Sequence, residues 1–173
     1  IGADKKVAYF NLPQEVNPAL GYRSIRICLD RPDMFKTQLR ALYRASAFGR
    51  LSIMIPMITS VAEVDFCKKC IDEVKKELDA KHIPYGKEVR FGIMIEVPVA
   101  AICADELAQH VDFFSIGTND LTQYSLACDR VNPNLTKVYN PYHKGLMRLI
   151  KMTIEAAHKH GKEVGMCGEL ARD

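Results

Sequence analysis

Four short apolar runs alternate with longer segments of helical periodicity along this 173-residue chain, and this alternation restricts the fold more than any other feature. The predicted strands are residues 51–58, 90–96, 111–117 and 162–167. The predicted helices are residues 32–49, 60–81, 98–109, 121–128 and 143–160. Since apolar strands separated by helices are typical of parallel pairing with both sheet faces covered, the sequence predicts an α/β protein.

Consecutive β/α units leave two architectures open. One is an open doubly wound sheet, and the other is part of an eight-stranded (β/α)8 TIM-type barrel. Periodicity alone does not choose between them, but no G-x-G-x-x-G follows a strand, so a dinucleotide-binding open sheet has no support. The chain begins with Ile1 and ends soon after the last predicted strand. We therefore expect residues 1–173 to be part of one larger domain that is truncated at both ends.

Composition and cysteine placement argue against several classes of protein. The net charge is +3, with Lys and Arg interleaved among Asp and Glu, which does not favour a nucleic-acid-binding surface. No apolar run is long enough to span a membrane. The six cysteines are scattered, as is typical of proteins of the reducing cytoplasm. Cys67 and Cys70 form a C-x-x-C pair, but they fall on the apolar stripe of a predicted helix with no further metal ligands nearby, so we expect them in the core.

Two carboxylates come at the ends of neighbouring predicted strands. Glu96 ends the second strand and Asp120 follows the third, so both are expected at the rim where β/α architectures collect their functional groups. Mg²⁺ takes oxygen ligands and commonly uses one or two carboxylates. Alternatively, Asp120 caps the following helix and Glu96 pairs with a surface lysine. Spacing alone favours neither interpretation.

Further polar groups belong to the same predicted rim. The glycine and small polar residues at 117–120 are suited to turning backbone N–H groups toward an anion. Cys167 ends the fourth strand, where a thiol is either a packed core group or an acid–base group. Arg23 and Arg130 carry guanidinium groups of the kind that bind phosphate and carboxylate, although spacing does not distinguish them from the other arginines.

Several segments of the chain resemble the phosphoenolpyruvate-utilising enzymes. The matching segments are residues 94–98 (MIEVP), 112–124 (DFFSIGTNDLTQY) with Asp129-Arg130, and 165–169 (GMCGE). Residues 17–26 (NPALGYRSIR) and 44–49 (RASAFG) look most like the enzyme I group, the phosphoenolpyruvate–protein phosphotransferases, and less like pyruvate phosphate dikinase or phosphoenolpyruvate synthase. The resemblance covers nearly the whole chain.

This resemblance implies a role for each matching residue. Glu96 and Asp120 match Mg²⁺ ligands, and Arg23 and Arg130, with Asn119 and Asp120 beside them, match the groups that bind phosphoenolpyruvate. Cys167 matches the group that protonates the methylene carbon as the enolate becomes pyruvate. In the family, the phosphoryl group then passes to a histidine on a separate N-terminal domain and on to the carrier protein HPr, and this reaction starts sugar uptake in the cytoplasm.

The resemblance also implies what the chain does not contain. Its start and end correspond to the fourth to seventh β/α units of the barrel, and none of the five histidines lies in a segment like that of the phosphorylated histidine. We therefore expect the isolated chain to be inactive. Two other interpretations stay open, which are a Mg²⁺-dependent carbon–carbon lyase barrel and a non-catalytic dimerisation module. The barrel domain of enzyme I is itself the homodimerisation domain, so the latter role is compatible with catalysis.

Overall fold

A computed structural model describes Gly2 and residues 12–172, and its centre is one parallel β-sheet. The strands are β1 (Ser52–Ile55), β2 (Arg90–Ile95), β3 (Phe113–Gly117) and β4 (Glu163–Cys167), in the order β1-β2-β3-β4. All three pairings are parallel. The predicted α/β class is therefore confirmed.

Helices fill the intervals before and between the strands. They are α1 (Ile25–Asp30), α2 (Pro32–Ala45), α3 (Val61–Ala80), α4 (Pro98–Ile102), α5 (Ala104–Ala108), α6 (Thr118–Leu126) and α7 (Lys144–Lys159). Short 3-10 helices are found at Pro18–Leu20, Ser46–Phe48, Pro133–Leu135 and Glu169–Arg172. In the part of the chain that the structure describes, no helix is both long and apolar enough to cross a bilayer.

The strand order favours the barrel-type arrangement. A doubly wound sheet reverses its order at a switch point, whereas the described strands follow one another without reversal. The sheet is thus an open arc of consecutive β/α units, as in part of a (β/α)8 barrel. One edge of β1 and one edge of β4 are not paired within the described residues.

The two faces of the sheet differ in composition. One face buries apolar side chains under α3, α4, α5 and α7; the strand residues on it are Ile53, Ile55, Phe91, Ile93, Ile95, Phe114 and Ile116. The opposite face carries smaller or partly exposed groups, namely Ser52, Met54, Gly92, Met94, Ser115 and Gly165. This second face corresponds to the interior of a barrel.

An ion pair joins the strands at their amino ends. The Nη1 atom of Arg90 lies 2.6 Å from Oε2 of Glu163, and its guanidinium group lies 5.2 Å from the ring centroid of Phe113. These three residues begin β2, β4 and β3. The contact therefore ties three neighbouring strands together at the end opposite the polar rim.

Several predicted helices differ in detail from the structure. The predicted helix 98–109 is two short helices that meet at Cys103, and α6 begins at Thr118 rather than near Leu121. Helix α1 was not predicted. Cys67 and Cys70 are buried in the core, as expected from the apolar stripe of α3.

Candidate functional site

The carboxyl ends of β2, β3 and β4 lie side by side, because the register pairs Ile95 with Ile116 and Gly117 with Cys167. Glu96 directly follows β2, and Asp120 lies in the first turn of α6, which directly follows β3. Parallel strands present their ends at the same edge of a sheet, so these groups share one rim. The structure thus brings the polar ends of the predicted strands together.

Glu96 is the most buried acidic residue of this rim, with only 4% of its surface exposed. Its Oε1 accepts a hydrogen bond of 2.7 Å from the backbone N–H of Met57, and its carboxyl group is also hydrogen-bonded to that of Asp120. Burial, together with the charge of Asp120, raises the pKa of Glu96 to about 7, although the Met57 N–H and the charge of Arg23 act in the opposite direction. Two carboxyl groups facing each other in a buried place require a shared proton or a cation.

The Met57 donor depends on an uncommon backbone conformation. Met57 follows β1 and has a φ of 62°, in the left-handed region that non-glycine residues rarely adopt. This conformation accompanies the turn of the chain after β1, where the Met57 N–H is directed at Glu96. Sequence reasoning did not identify Met57, because any residue supplies a backbone N–H and the type of side chain gives no signal.

Gly117 leaves the space that the Glu96 side chain occupies. A Cβ atom at this position would lie 2.9 Å from Cβ of Glu96, 3.0 Å from its Oε2 and 2.8 Å from Sδ of Met94. The sequence suggested that Gly117 lets backbone groups turn toward an anion. What the structure shows at Gly117 is space, because the absence of a Cβ atom lets β3 approach the carboxyl pair closely.

Arg130 lies beside Asp120 on the solvent side of the pair. Its Nε is 3.8 Å from Oδ1 of Asp120, and its backbone N–H donates to Oε1 of the buried Gln123 over 3.0 Å. The Arg130 side chain is 41% exposed. The guanidinium group is thus held near the carboxylates while remaining accessible to a ligand.

Arg23 approaches the carboxyl pair from the segment that precedes α1. Burial raises the pKa of both Glu96 and Tyr124, and the positive charge of Arg23 opposes the rise in each, so Arg23 lies near both groups. Its Nη1 donates to the carbonyl oxygen of Pro18 at 3.5 Å. Two guanidinium groups thus lie near the carboxyl pair.

Asn119 is oriented by the segment that follows β4. Its Oδ1 accepts from the N–H of Glu169 over 3.1 Å, which leaves its amide N–H groups as donors for a ligand. Gly168, with a φ of 97°, allows this close approach, because a Cβ there would lie 3.1 Å from Oδ1 of Asn119. Thr118 adds a 3.0 Å hydrogen bond from its Oγ1 to the carbonyl oxygen of Cys167.

The Cys167 thiol is half-buried at the end of β4. Its Sγ lies 3.5 Å from Oγ of Ser115 and 3.5 Å from the carbonyl oxygen of Ile116. Both contacts lie on β3, so the thiol is positioned by the neighbouring strand on the same side of the sheet as Ser115. A partly exposed thiol with hydrogen-bond partners can donate a proton to a ligand at this rim.

The arrangement of Glu96 and Asp120 fits a small divalent cation better than the two other roles considered for them, a pair with a surface lysine for Glu96 and helix capping for Asp120. Glu96 is bound by a backbone N–H and faces Asp120 rather than a surface lysine, and the side chain of Asp120 does not cap α6. Among the described residues, no group of three or more His, Cys, Asp or Glu side chains is arranged to hold a metal. Two carboxylates alone match Mg²⁺, which commonly leaves its other positions to water and phosphate oxygens.

Comparison with known proteins gives a family match over the complete chain. The family described as PEP-utilising enzyme, PEP-binding domain, matches residues 1–173. The chain is 56% identical to the phosphoenolpyruvate-protein phosphotransferase of Mycoplasma capricolum, 52% to that of Priestia megaterium and 51% to that of Bacillus subtilis. Each alignment covers 100% of this chain and 30% of the relative.

Solved structures with a similar fold come from a different group of enzymes. A citrate lyase from Burkholderia xenovorans aligns with a TM-score of 0.57 and 20% identity, over 76% of this chain and 40% of that chain. An HpcH/HpaI aldolase/citrate lyase family protein from Burkholderia cenocepacia aligns with a TM-score of 0.55 and 14% identity, over 82% of this chain and 57% of that chain. At these identities the likeness concerns the fold alone, and it agrees with the partial barrel.

Proposed function

Because the chain belongs to the PEP-utilising enzymes, as a PEP-binding domain, we propose that it is the phosphoenolpyruvate- and Mg²⁺-binding part of a phosphoenolpyruvate–protein phosphotransferase. The observation that carries this proposal is the carboxyl pair of buried Glu96 and partly exposed Asp120, with Arg23 and Arg130 beside it. The names of the relatives support the same reaction. Since the chain spans about 30% of their length, the activity belongs to the longer protein.

The charges at the rim suit phosphoenolpyruvate, which carries a phosphate and a carboxylate on one small carbon frame. Arg23 and Arg130 bind these two anionic groups by charge-assisted hydrogen bonds, and the amide N–H groups of Asn119 bind one of their oxygens. Glu96 and Asp120 would hold Mg²⁺. When bound there, the ion would neutralise negative charge on the phosphate and on the oxygen that separates from phosphorus.

Cys167 completes the first half-reaction in this proposal. The oxygen–phosphorus bond of phosphoenolpyruvate breaks, a nitrogen–phosphorus bond forms at the accepting histidine, and the bonding electron pair stays on the oxygen as an enolate. The Cys167 thiol then donates its proton to the methylene carbon, which yields pyruvate and leaves a thiolate. Its half-buried position at the rim and its contacts with β3 support this role.

The accepting histidine belongs to another part of the longer protein in this proposal. Three of the five histidines of this chain have other partners: His143 accepts from the N–H of Gly145, His110 lies near Asp65, and His160 lies near Asp105. His82 and His158 are exposed. The phosphoryl group would pass from the external histidine to HPr and so start sugar uptake.

Two further properties belong to the same proposal. Six free cysteines are consistent with a cytoplasmic location, since thiols persist in a reducing compartment. The longer protein would act as a homodimer through this barrel domain. Sedimentation of the full-length protein, with and without phosphoenolpyruvate, tests the dimer.

The metal assignment is tested by calorimetry on the full-length protein, with phosphoenolpyruvate titrated in the presence and absence of Mg²⁺. Glu96→Ala and Asp120→Ala should each abolish Mg²⁺-dependent binding, because each removes one of the two carboxylates that the proposal assigns to the ion. Glu163→Ala is the control, since Glu163 is also an acidic residue of this sheet but lies at the opposite end, paired with Arg90. Unchanged Mg²⁺ dependence in both site variants would remove the metal assignment.

A carbon–carbon lyase is the main rival from the sequence, and such barrels also use paired acids and an enolate. The likeness to citrate lyases is confined to the fold, whereas the family match and the relatives favour phosphotransfer. Cleavage of a hydroxy-acid thioester by the full-length protein, in the absence of phosphotransfer to a histidine, would favour the lyase.

A further inference from the structure

Tyr124 links two segments of the site that are far apart in sequence. It lies on α6, four residues after Asp120 and therefore on the same face of the helix. Its Oη donates a hydrogen bond of 2.5 Å to the carbonyl oxygen of Ala19, which lies in the 3-10 helix Pro18–Leu20. The half-buried ring thus connects the helix that carries Asp120 with the segment that leads to Arg23.

Residues 15–23, which we term the Arg23 segment, are bonded to one another. The N–H of Tyr22 donates to Oε1 of Glu15 over 2.8 Å, and Nη1 of Arg23 donates to the carbonyl oxygen of Pro18 over 3.5 Å. From α1, Nη1 of Arg26 donates to the carbonyl oxygens of Leu20 and Gly21, each at 2.8 Å. Since the segment is held together internally, fixing Ala19 also fixes the position of Arg23.

Backbone strain next to Arg23 indicates that this position must be held by its surroundings. Ser24 has a φ of 49° and a ψ of −124°, which a non-glycine residue does not adopt without cost. Such conformations persist where neighbouring contacts over-determine them, and they are common at ligand-binding sites. The Tyr124–Ala19 hydrogen bond is one such contact.

We propose that Tyr124 is a positioning residue, whose hydroxyl group anchors the Arg23 segment to α6 and so holds the Arg23 guanidinium group beside the Glu96–Asp120 pair. Tyr124 does not contact the ligand in this arrangement; it acts through Arg23. The inference rests on the proposed function, because it takes Arg23 as a group that binds an anionic ligand. It adds a specific prediction about affinity that the proposed function does not make.

Tyr124→Phe in the full-length protein removes the hydroxyl group and keeps the ring. The dissociation constant and the KM for phosphoenolpyruvate should each rise by about five- to tenfold, as expected for the loss of one hydrogen bond that preorganises a binding group. The kcat at saturating phosphoenolpyruvate should change less than about twofold, since the reacting groups are untouched. Tyr85→Phe is the control, because Tyr85 Oη also donates a hydrogen bond, to Asp79 at 3.2 Å, on a different part of the fold.

A double-mutant cycle separates positioning from a direct contact. Arg23→Gln alone should weaken phosphoenolpyruvate binding more than Tyr124→Phe does, and Tyr124→Phe should have no further effect in the Arg23→Gln protein. Hydrogen exchange without ligand gives an independent readout. The amides of residues 15–24 should exchange faster in Tyr124→Phe than in the wild type and in Tyr85→Phe.

The inference is overturned if Tyr124→Phe binds phosphoenolpyruvate like the wild type, or if it weakens binding by the same factor with and without Arg23. Unchanged exchange of residues 15–24 would also overturn it. If Arg23→Gln weakens binding while Tyr124→Phe does not, the proposed function stands and only the role of Tyr124 fails. If the wild-type protein does not bind phosphoenolpyruvate, both fail together.

Discussion

Glu96 lies buried at the end of β2, with its carboxyl group between the Met57 N–H and the carboxyl group of Asp120. Without a cation, a negative charge on both acids is unfavourable, because burial removes water and the charges repel. In the proposed function, a bound Mg²⁺ would therefore take the place of the proton at this pair. This exchange makes the protonation of Glu96 measurable through stability.

The metal-free protein should lose stability as the pH rises through the range in which Glu96 ionises. Burial raises its pKa to about 7, whereas an unfolded glutamate titrates near ~4.3, so the folded chain binds more protons between these values. The stabilisation from Glu96 is complete below about pH 4 and is lost as the pH passes about 7, a change of about 4 kcal/mol in the free energy of unfolding.

Denaturant unfolding of the full-length protein in the presence of a chelator, at several pH values, measures this effect. Glu96→Gln keeps the shape of the side chain and removes the titrating group. As the pH rises, the free energy of unfolding of the wild type should therefore fall relative to that of the variant. If the free energies of unfolding of the wild type and Glu96→Gln differ by the same amount at every pH from 4 to 8, the raised pKa of Glu96 is contradicted. Glu163→Gln serves as the control, since Glu163 is largely exposed.

Gly117→Ala should disturb the carboxyl pair through space alone. The new methyl group would meet Cβ of Glu96 at 2.9 Å and Sδ of Met94 at 2.8 Å, so the strands or these side chains must shift. We expect a loss of about 1–3 kcal/mol in the free energy of unfolding, as for other overpacked cores, together with weaker Mg²⁺-dependent ligand binding.

Gly165→Ala is the matched control for Gly117→Ala. Gly165 lies on the neighbouring strand β4, where, among the residues that the structure describes, a Cβ atom would meet the carbonyl oxygen of Phe114 at 3.9 Å and nothing closer. This substitution should change stability by less than about 0.5 kcal/mol. Equal losses for both variants in urea unfolding would show that the space at Gly117 has no special role.

Some residues of the site could be predicted from the sequence because they follow apolar strands, and others could not because no local pattern indicates them. Glu96 and Asp120 follow apolar strands, and parallel pairing alone predicts that they share a rim. Arg23 and Arg130 have no such mark, and only the family resemblance selected them. Met57 acts through its backbone N–H, which any residue supplies. Tyr124 acts through a hydrogen bond to Ala19, which lies 105 residues earlier in the chain. A local sequence pattern indicates neither contact.

Helix α3 begins with a signal that is local and was therefore predictable. The Oγ of Ser60 accepts from the N–H of Glu63 at 3.4 Å, and Oε2 of Glu63 accepts from the N–H groups of Thr59 and Ser60 at 2.6 and 3.0 Å. This is a capping box, which satisfies N–H groups that have no partner within the helix.

Ser60→Ala should lower the free energy of unfolding by about 1 kcal/mol, because the first turn of α3 loses its side-chain acceptor. Ser52→Ala, at an exposed serine of β1, should have little effect and is the control. Urea unfolding measures both. A stability of Ser60→Ala equal to that of Ser52→Ala would mean that the cap does not contribute.

The break between α4 and α5 was not predictable in the same way. Apolar residues continue across it at helical spacing, and the buried ones are Ala100, Ala101, Ala104, Leu107 and Ala108. The N–H of Cys103 still donates to the carbonyl oxygen of Val99 over 3.0 Å, and Cys103 itself has a φ of −91° and a ψ of 20°, so the helix is interrupted without a glycine or proline to mark the place.

At the scale of the whole molecule, two features of the sheet predict association of the isolated chain. In the described residues, β1 and β4 each have one unpaired edge, and the face that carries Met54, Met94 and Ser115 has no helical layer against it. Unpaired edges pair readily with other strands. The 173-residue chain alone should therefore self-associate or be marginally stable, and it should not turn over phosphoenolpyruvate.

Sedimentation analysis of the isolated chain tests this prediction, together with an assay for exchange of labelled pyruvate into phosphoenolpyruvate. The full-length protein in the same buffers is the control. A compact monomer that catalyses the exchange would contradict both parts of the prediction.

The alternation of strands and helices was enough to predict a parallel α/β fold, because apolar runs and helical periods are local. It did not distinguish a doubly wound sheet from a barrel, because the two differ only in which strands become neighbours. The pairings Ile53–Phe91, Ile93–Phe114 and Phe114–Val164 supply that information, and each joins residues far apart in the sequence.

The placement of Glu96 and Asp120 on successive strands has a consequence for circular permutation. A single crossover, made by α4 and α5, connects the two carboxylates, while the Arg90–Glu163 pair ties the strands at the other end. New termini introduced into the full-length protein at the exposed loop around Lys87 and Glu88 would leave that crossover uncut. Such a permutant should retain the acidic pair, whereas one opened between β2 and β3 would place its two members near opposite ends of the polypeptide.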